Sequence, residues 1–320
     1  MYFRLDMRHK IQKDANKSHL RMGGSTQSAA FVMYQFQPMR HTRPLLGSYV
    51  EIIANAPPKL AARGVSAAFA ELKHVHQQMN FHDAESDLSR INLYAWKRPV
   101  SISPSTLRVL CFARQLARQT DGLFDFTTGG RLVREGRLPD HGFCDLYARG
   151  WDALLLLPRL RVRLKRPLVL HLDDIVKGYA VDQAVRILLS RGITSGLVNA
   201  GGELRLFGKD QARINLRESN GSLTALGAWS NTAMATSAQA LAVENPTRLP
   251  ACMVEQGGCD GLACPHFMRC PHAWTTVVAQ EAWRASGLNT LAHAIPLKER
   301  AARIAKLGGR LITDRTTPVN

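Results

Sequence analysis

No stretch of the chain leaves fewer choices of fold than residues 168–208, LVLHLDDIVKGYAVDQAVRILLSRGITSGLVNAGGELRLFG. It reads as strand, tight turn, helix, strand, glycine turn, strand. Leu168, Leu170 and Leu172 alternate with other residues, the pattern of a half-buried strand. Asp173 or Asp174 is placed to cap the helix that follows. That helix carries Tyr179, Asp182, Val185 and Leu188/Leu189 at helical spacing and is stopped by Gly192. Ile193–Asn199 turns apolar again, and Gly201-Gly202 permits a close approach of backbone. Lys177 lies one helical step inside. Exposed N–H groups, a positive helix end and a cation then converge, which suits a phosphate-bearing ligand. An ordinary α/β connection with a solvated lysine has the same spacing.

A chain of 320 residues, 45% of them hydrophobic, can bury a sizeable core in one large domain or two small ones. No apolar run approaches the roughly 18 residues that span a bilayer. The formal net charge is +17. Such an excess fits nucleic acid, anionic lipid or a polyanionic small molecule. The basic residues are scattered and are not interleaved with aromatics as in a nucleic-acid module, which disfavours the first. Residues 1–40 are basic and polar, with no hydrophobic period. They lack the uninterrupted apolar segment and small-residue cleavage site of a secretory signal. They read as a disordered extension, and the protein is expected in the cytoplasm with reduced cysteines.

Structure is expected from Arg43 onward. Residues 43–52 look like a turn feeding a first strand. Pro57-Pro58 opens a helix to about Asn80, with Val65, Phe69, Leu72, Val75 and Met79 on one face. His74 and His76, at i and i+2, do not share a face, so no metal site is read there. Residues 81–92, FHDAESDLSRIN, read as a polar, serine-rich loop. Ser103-Pro104 starts a second helix, closed by Asp121-Gly122. LFDFTTGGRLV (123–133) reads as a loop. Strands are expected at 151–157, 162–164, 168–172, 212–216, 225–229 and 274–279. The hydroxyl-rich SNTAMATSAQA (230–240) is expected as a loop near a ligand. Helices follow at 280–294 and 297–307, then a last strand at Leu311-Ile312. Strands and helices mix without a strict βαβ rhythm, which favours α+β.

The order of LLGSYVEI, DAESDLSRIN, TDGLFDFTTGG, LHLDDIVKGYAVD, GLVNAGGELRLFG and the ATS of 235–237 resembles the ApbE family. The resemblance implies an α+β fold of two similar sheet-and-helix lobes in one globular domain, over residues 41–315, with 316–320 a tail. It implies a flavin transferase, moving FMN from FAD to a serine or threonine hydroxyl of a target protein and releasing AMP with magnesium. By the same resemblance Leu46 packs on the flavin side, Asp87, Leu88 and Ser89 line the nucleotide, and Asp121 hydrogen-bonds it. Lys177 contacts FAD. Asp174, Ser286 and Thr290 fall at the metal.

The chain departs from that pattern in three places. Ser286 stands where the family segment Ala-Asp-Ala-Leu-Ala-Thr has its aspartate. Asp173-Asp174 replaces the usual glycines, and one of those carboxylates can compensate for the missing one. A His-Ile-Ile-Asp-Pro block is replaced by ENPTRLPACMVEQGGCDGLACPHFMRCPHAW. That replacement holds Cys252, Cys259, Cys264 and Cys270, with His266 and His272 interleaved. A zinc clamp is one reading. Without a C-x-x-C pair, reduced cysteines in a variable loop are the plainer one. Cys111 and Cys144 read as ordinary small apolar residues. Two alternatives stand beside the transferase: a non-catalytic FAD-binding protein of the same fold, and a basic nucleic-acid-associated protein.

Overall fold

A computed structural model describes residues 2–6, 38–143, 145–146, 148–217, 223–238 and 274–313. Its centre is a seven-stranded sheet in the order β13-β12-β11-β8-β7-β3-β2. These strands are β2 (Met39–Leu45), β3 (Ser48–Ala54), β7 (Gly196–Ala200), β8 (Glu203–Phe207), β11 (Ala233–Ala238), β12 (Trp274–Ala279) and β13 (Arg310–Thr313). Every neighbouring pair is antiparallel. Period-2 alternation sorts the side chains to two faces. Ile52, Val198, Ala233, Ala235 and Val277 join the main core, which includes the helices. Ile53, Leu197, Met234 and Val278 join a second core with Ile214 and Leu216. Those two belong to β9 (Ala212–Arg217), which pairs on one side with β10 (Leu223–Trp229) and on the other with β1 (Tyr2–Asp6). Tyr2–Asp6 thus forms a strand inside the basic extension. A small sheet, β4-β6-β5, is built from Val100–Ser101, Arg161–Leu164 and Leu154–Leu157.

The helices are α1 (Pro58–Met79), α2 (Asp87–Tyr94), α3 (Pro104–Gln119), α4 (Gly129–Arg134), α5 (Asp173–Ser190), α6 (Ala282–Ala294) and α7 (Leu297–Lys306). The expected apolar face of α1 is buried throughout. The α+β class is as expected. Several local expectations are not. Residues 81–92 hold α2, because Ser86 caps it by accepting from the Ser89 N–H at 3.0 Å. Residues 123–133 likewise run into α4.

Residues 168–172 are buried but form no strand beyond one bridge from Val169 to Thr128. The Asn92 side chain takes both backbone groups of Leu170, donating to its carbonyl at 3.1 Å and accepting its N–H at 2.8 Å. Neither Asp173 nor Asp174 is the cap of α5; that position is Leu172, and both aspartates lie in the first turn. The expected loop at 230–240 holds β11. Its Ala233 and Ala235 are small and face the helices, which lets α6 sit close. Cys111 is exposed rather than buried, and Cys144 lies outside the described residues. No helix among the described residues is long and apolar enough to cross a membrane.

Helix α6 is held by a side chain from another helix. Its own N-cap residue, Glu281, makes no side-chain capping bond. The Asp182 carboxylate on α5 accepts from the N–H groups of Ala282 and Trp283, each at 3.0 Å. Arg205 on β8 donates to the same carboxylate. One turn earlier, Gly178 allows the helices to touch: a Cβ there would lie 2.4 Å from the Ala282 carbonyl oxygen. Trp283 then stacks on Phe112 of α3, rings parallel and 4.0 Å apart. We expect Gly178→Ala to cost roughly 1–3 kcal/mol, because backbone must move to admit the methyl. Chemical denaturation measures this; a variant as stable as the parent would show that the two helices can part freely.

Candidate functional site

With α6 fixed, three elements converge. Face residues Ser286, Asn289, Thr290 and His293 follow one another at i, i+3, i+4 and i+7 along α6. Thr290 Oγ1 donates to Asp174 Oδ1 on α5 at 3.0 Å. Ser286 Oγ lies 3.4 Å from Glu203 Oε1 at the start of β8. His293 Nε2 and Ser237 Oγ of β11 are 2.6 Å apart. Asn289 accepts the Ser237 N–H at 3.1 Å and donates to the Thr275 carbonyl at 3.1 Å, and its oxygen also lies 3.0 Å from Ser237 Oγ. The turn at Gly201-Gly202 sits against this cluster, with the Thr236 N–H donating to the Gly202 carbonyl at 3.0 Å. A Cβ on Gly201 would come within 2.3 Å of Ser48 Oγ, so the turn requires glycine there.

Beside the cluster opens a pocket of about 180 Å³, whose lining includes Leu46, Gly47, His76, Phe81, Asp173 and Lys177. Leu46 and Gly47 form the tight turn between β2 and β3, with φ of 58° and 69°. The turn puts the buried Leu46 against the pocket.

Charge in the site is arranged by burial and by Lys177. Burial raises Glu203 above the ordinary carboxylate range; Lys177 pulls against this and Asp174 adds to it. His171 is buried with its Nε2 3.4 Å from Asp173 Oδ2. Burial acts to lower its pKa, but the Asp173 charge and hydrogen bond win and raise it. Burial acts to raise Asp173, yet His171, and after it Lys177, bring it down from 3.8 to about 2. His76 on the pocket wall is lowered, by burial first. His293 is lowered to about 4 by burial, and next by Arg300.

Leu46 and Lys177 therefore share one pocket, and Asp174, Ser286 and Thr290 gather beside it. The other expected residues are committed elsewhere. Asp87 accepts from the Ser103 N–H at 2.7 Å and the Thr106 hydroxyl at 2.8 Å, joining α2 to α3. Leu88 is wholly buried in the core. Ser89 donates to the Phe81 carbonyl at 3.4 Å, behind the pocket wall. Asp121, with φ 50°, is an exposed turn residue after α3. None of these four is among the residues lining the pocket. Cys252, Cys259, Cys264 and Cys270, with their proposed zinc, lie outside the described residues. Glu203, His171, Ser237 and His293 are not among the site residues expected from sequence, and Asp173 is expected only as a substitute for the missing carboxylate. Glu203 stood inside the GGELR motif, and His293 stood three residues past Thr290, on the same helical face.

Among the described residues no three His, Cys, Asp or Glu side chains cluster as a metal site. What gathers instead is a mixed oxygen set: the carboxylates of Asp174 and Glu203 and the hydroxyls of Ser286 and Thr290. Magnesium suits such a set, because it keeps several waters and needs only one or two carboxylates.

The ApbE family model matches residues 46–242. The chain belongs to the ApbE family. It is 32% identical over 158 residues to the FAD:protein FMN transferase of Vibrio cholerae serotype O1, covering 46% of this chain and 47% of that protein. To the Chlamydia muridarum protein of the same name it is 30% identical over 185 residues, covering 54% and 57%. The chain thus spans about half the length of the curated relatives it matches. The ApbE protein of Thermotoga maritima shares its fold, with a TM-score of 0.68, 22% identity, and coverage of 87% of this chain and 94% of that one. The flavin transferase ApbE of Vibrio cholerae also has a TM-score of 0.68, at 20% identity, covering 87% and 97%.

The His171–Asp173 pair gives a pH test. A raised histidine contributes stability below 6.5 and loses it as pH rises through the folded value. A lowered aspartate contributes above 3.8 and loses it as pH falls through about 2. Asp173→Asn should therefore lower the pKa of His171, read from its imidazole resonances in an NMR titration. An unmoved titration curve would dismiss the pairing.

Proposed function

We propose that the chain is an FAD:protein FMN transferase, using magnesium to move FMN from FAD to a serine or threonine hydroxyl of a partner protein, with AMP as the other product. The observation that carries this is the meeting of Lys177 with Asp174, Glu203, Ser286 and Thr290 beside the pocket that Leu46 and Lys177 line. Phosphoryl transfer asks a protein for positioning and charge neutralisation more than for covalent help. Lys177 would meet the pyrophosphate. Asp174, with Thr290 beside it, would supply the carboxylate that the family places at residue 286. A carboxylate moved from α6 to the facing turn of α5 serves the same hard cation, because the ion needs oxygens around it and not a particular helix. Glu203 would stand behind Ser286 as a second source of charge.

The decisive measurement is AMP release from FAD across a magnesium titration, with a panel of serine- and threonine-bearing peptides as acceptors. We expect magnesium-dependent AMP release matched by flavin on the peptide. Asp174→Asn should slow it on the order of 100-fold and raise the magnesium midpoint. Ser286→Asp should leave the rate flat or lower it, because a third carboxylate crowds the site. If Ser286→Asp instead speeds transfer and Asp174→Asn is harmless, the carboxylate has not moved. If FAD binds and no AMP appears under any condition, the chain is the non-catalytic FAD-binding protein.

Lys177→Glu tests the phosphate contact separately. Replacing a cation by an anion at a pyrophosphate should weaken FAD binding by about tenfold or more. Fluorescence titration of FAD reads this directly, and equal affinity in the variant would remove Lys177 from the phosphate.

A further inference from the structure

The Ser237–His293 pair has the form of a nucleophile and its base, and the transfer reading above gives neither of them a part. The Ser237 hydroxyl has one proton and two acceptors in reach, His293 Nε2 at 2.6 Å and the Asn289 oxygen at 3.0 Å, and the shorter contact is the O–H···N bond to His293. Asn289 accepts the Ser237 N–H at 3.1 Å and anchors its own amide on Thr275. It thereby fixes the strand end that carries the serine. The ring is neutral near pH 7, since burial, followed by Arg300, holds its pKa at about 4. A neutral imidazole can receive a proton. Ser237 and His293 are each only partly buried, so neither is sealed in the core.

The location is what gives the pair a substrate. His293 follows Thr290 by three residues, so the two are neighbours on one face of α6. Thr290 is bonded to Asp174. Ser237 also follows Thr236, whose N–H is bonded to the Gly202 carbonyl. Ser237 is thus one residue from the strand position bonded to the glycine turn, and its two partners, Asn289 and His293, flank Thr290 on α6, the residue the transfer reading puts at the metal.

We propose that Ser237 is itself an FMN acceptor, and that the chain flavinylates this residue when no partner protein is present. The inference rests on the transfer reading. Ser237 Oγ attacks the FMN-side phosphorus of FAD. The Oγ–P bond forms as the bond from that phosphorus to the bridging oxygen breaks. The bridging oxygen leaves with its electron pair as part of AMP, and the serine proton passes to His293 Nε2. The balance is chain plus FAD giving chain–O–FMN plus AMP, with no oxidant or reductant. A structural link between β11 and α6 is the competing role for the pair, and it would leave the chain's mass unaltered.

The test incubates the whole chain with FAD and magnesium and no acceptor. FAD binding, AMP release, the intact mass after denaturation and a peptide map are measured together. The expected result is a gain of one FMN less one water per chain, mapped to Ser237, with one AMP released for each. Ser237→Ala should lose the label and Ser237→Thr should keep it. His293→Asn should slow labelling on the order of 100-fold or more. A chain that binds FAD and transfers FMN to an added peptide, yet stays unmodified, overturns the proposal and leaves the transfer reading standing. Flavin mapped to another residue also overturns it. A chain that binds no FAD removes both.

Discussion

Two N–H groups at the start of one helix, taken by a carboxylate on another, hold the site together. Asp182 is buried and would gain nothing from burial alone, which raises its pKa. It is tolerated because Ala282, Trp283 and Arg205 all donate to it. A hydrogen bond to a charged group contributes about 1.5–3 kcal/mol, and an anion at a helix start adds to that. The same contact sets the angle and depth of α6 against α5. Thr290 meets Asp174, and Ser286 meets Glu203, only because the helix start has been fixed two turns away.

The site's chemistry follows from drawing oxygen atoms out of three separate elements. A single helix presenting several carboxylates would repel itself; here one carboxylate comes from α5, one from β8, and α6 offers hydroxyls. Lys177 balances the two acids, and its effect on Glu203 opposes the rise that burial causes. The Asp174 carboxylate and the Ser286 hydroxyl thus face one site from the two sides of the α5–α6 interface. The helices face one another closely there because Gly178 has no side chain.

Long helices were legible because their apolar period is strong: α1, α3, α5, α6 and α7 all lie within a few residues of expectation. The errors share a cause, which is distance along the chain. Leu168, Leu170 and Leu172 alternate as a strand does, but the backbone bonds that decide the matter come from Asn92. The ATS segment looked like a loop because its residues are small and polar. It is a strand because a helix packs on it and only small residues leave room. Asp182 gives no sign in sequence of its role at α6, since the two N–H groups it holds lie a hundred positions away. Glu203 sat within a recognised motif and was passed over, because burial, not sequence, makes a strand-end carboxylate a site residue. The motif order gave the family, while the pairing of Ser237 with His293 needed the three-dimensional packing of β11 on α6.

The geometry of α6 also governs when the molecule can first act. A ribosome makes Lys177 and Asp182 long before it makes Ala282. Until the last fifth of the chain emerges, Asp182 has no helix start to hold, and Thr290 does not yet exist beside Asp174. A half-made chain carries the phosphate-seeking lysine and the glycine turn without the face that completes them. The oxygen set therefore assembles late, when α6 closes onto α5, with α7 and the edge strand β13 still to follow.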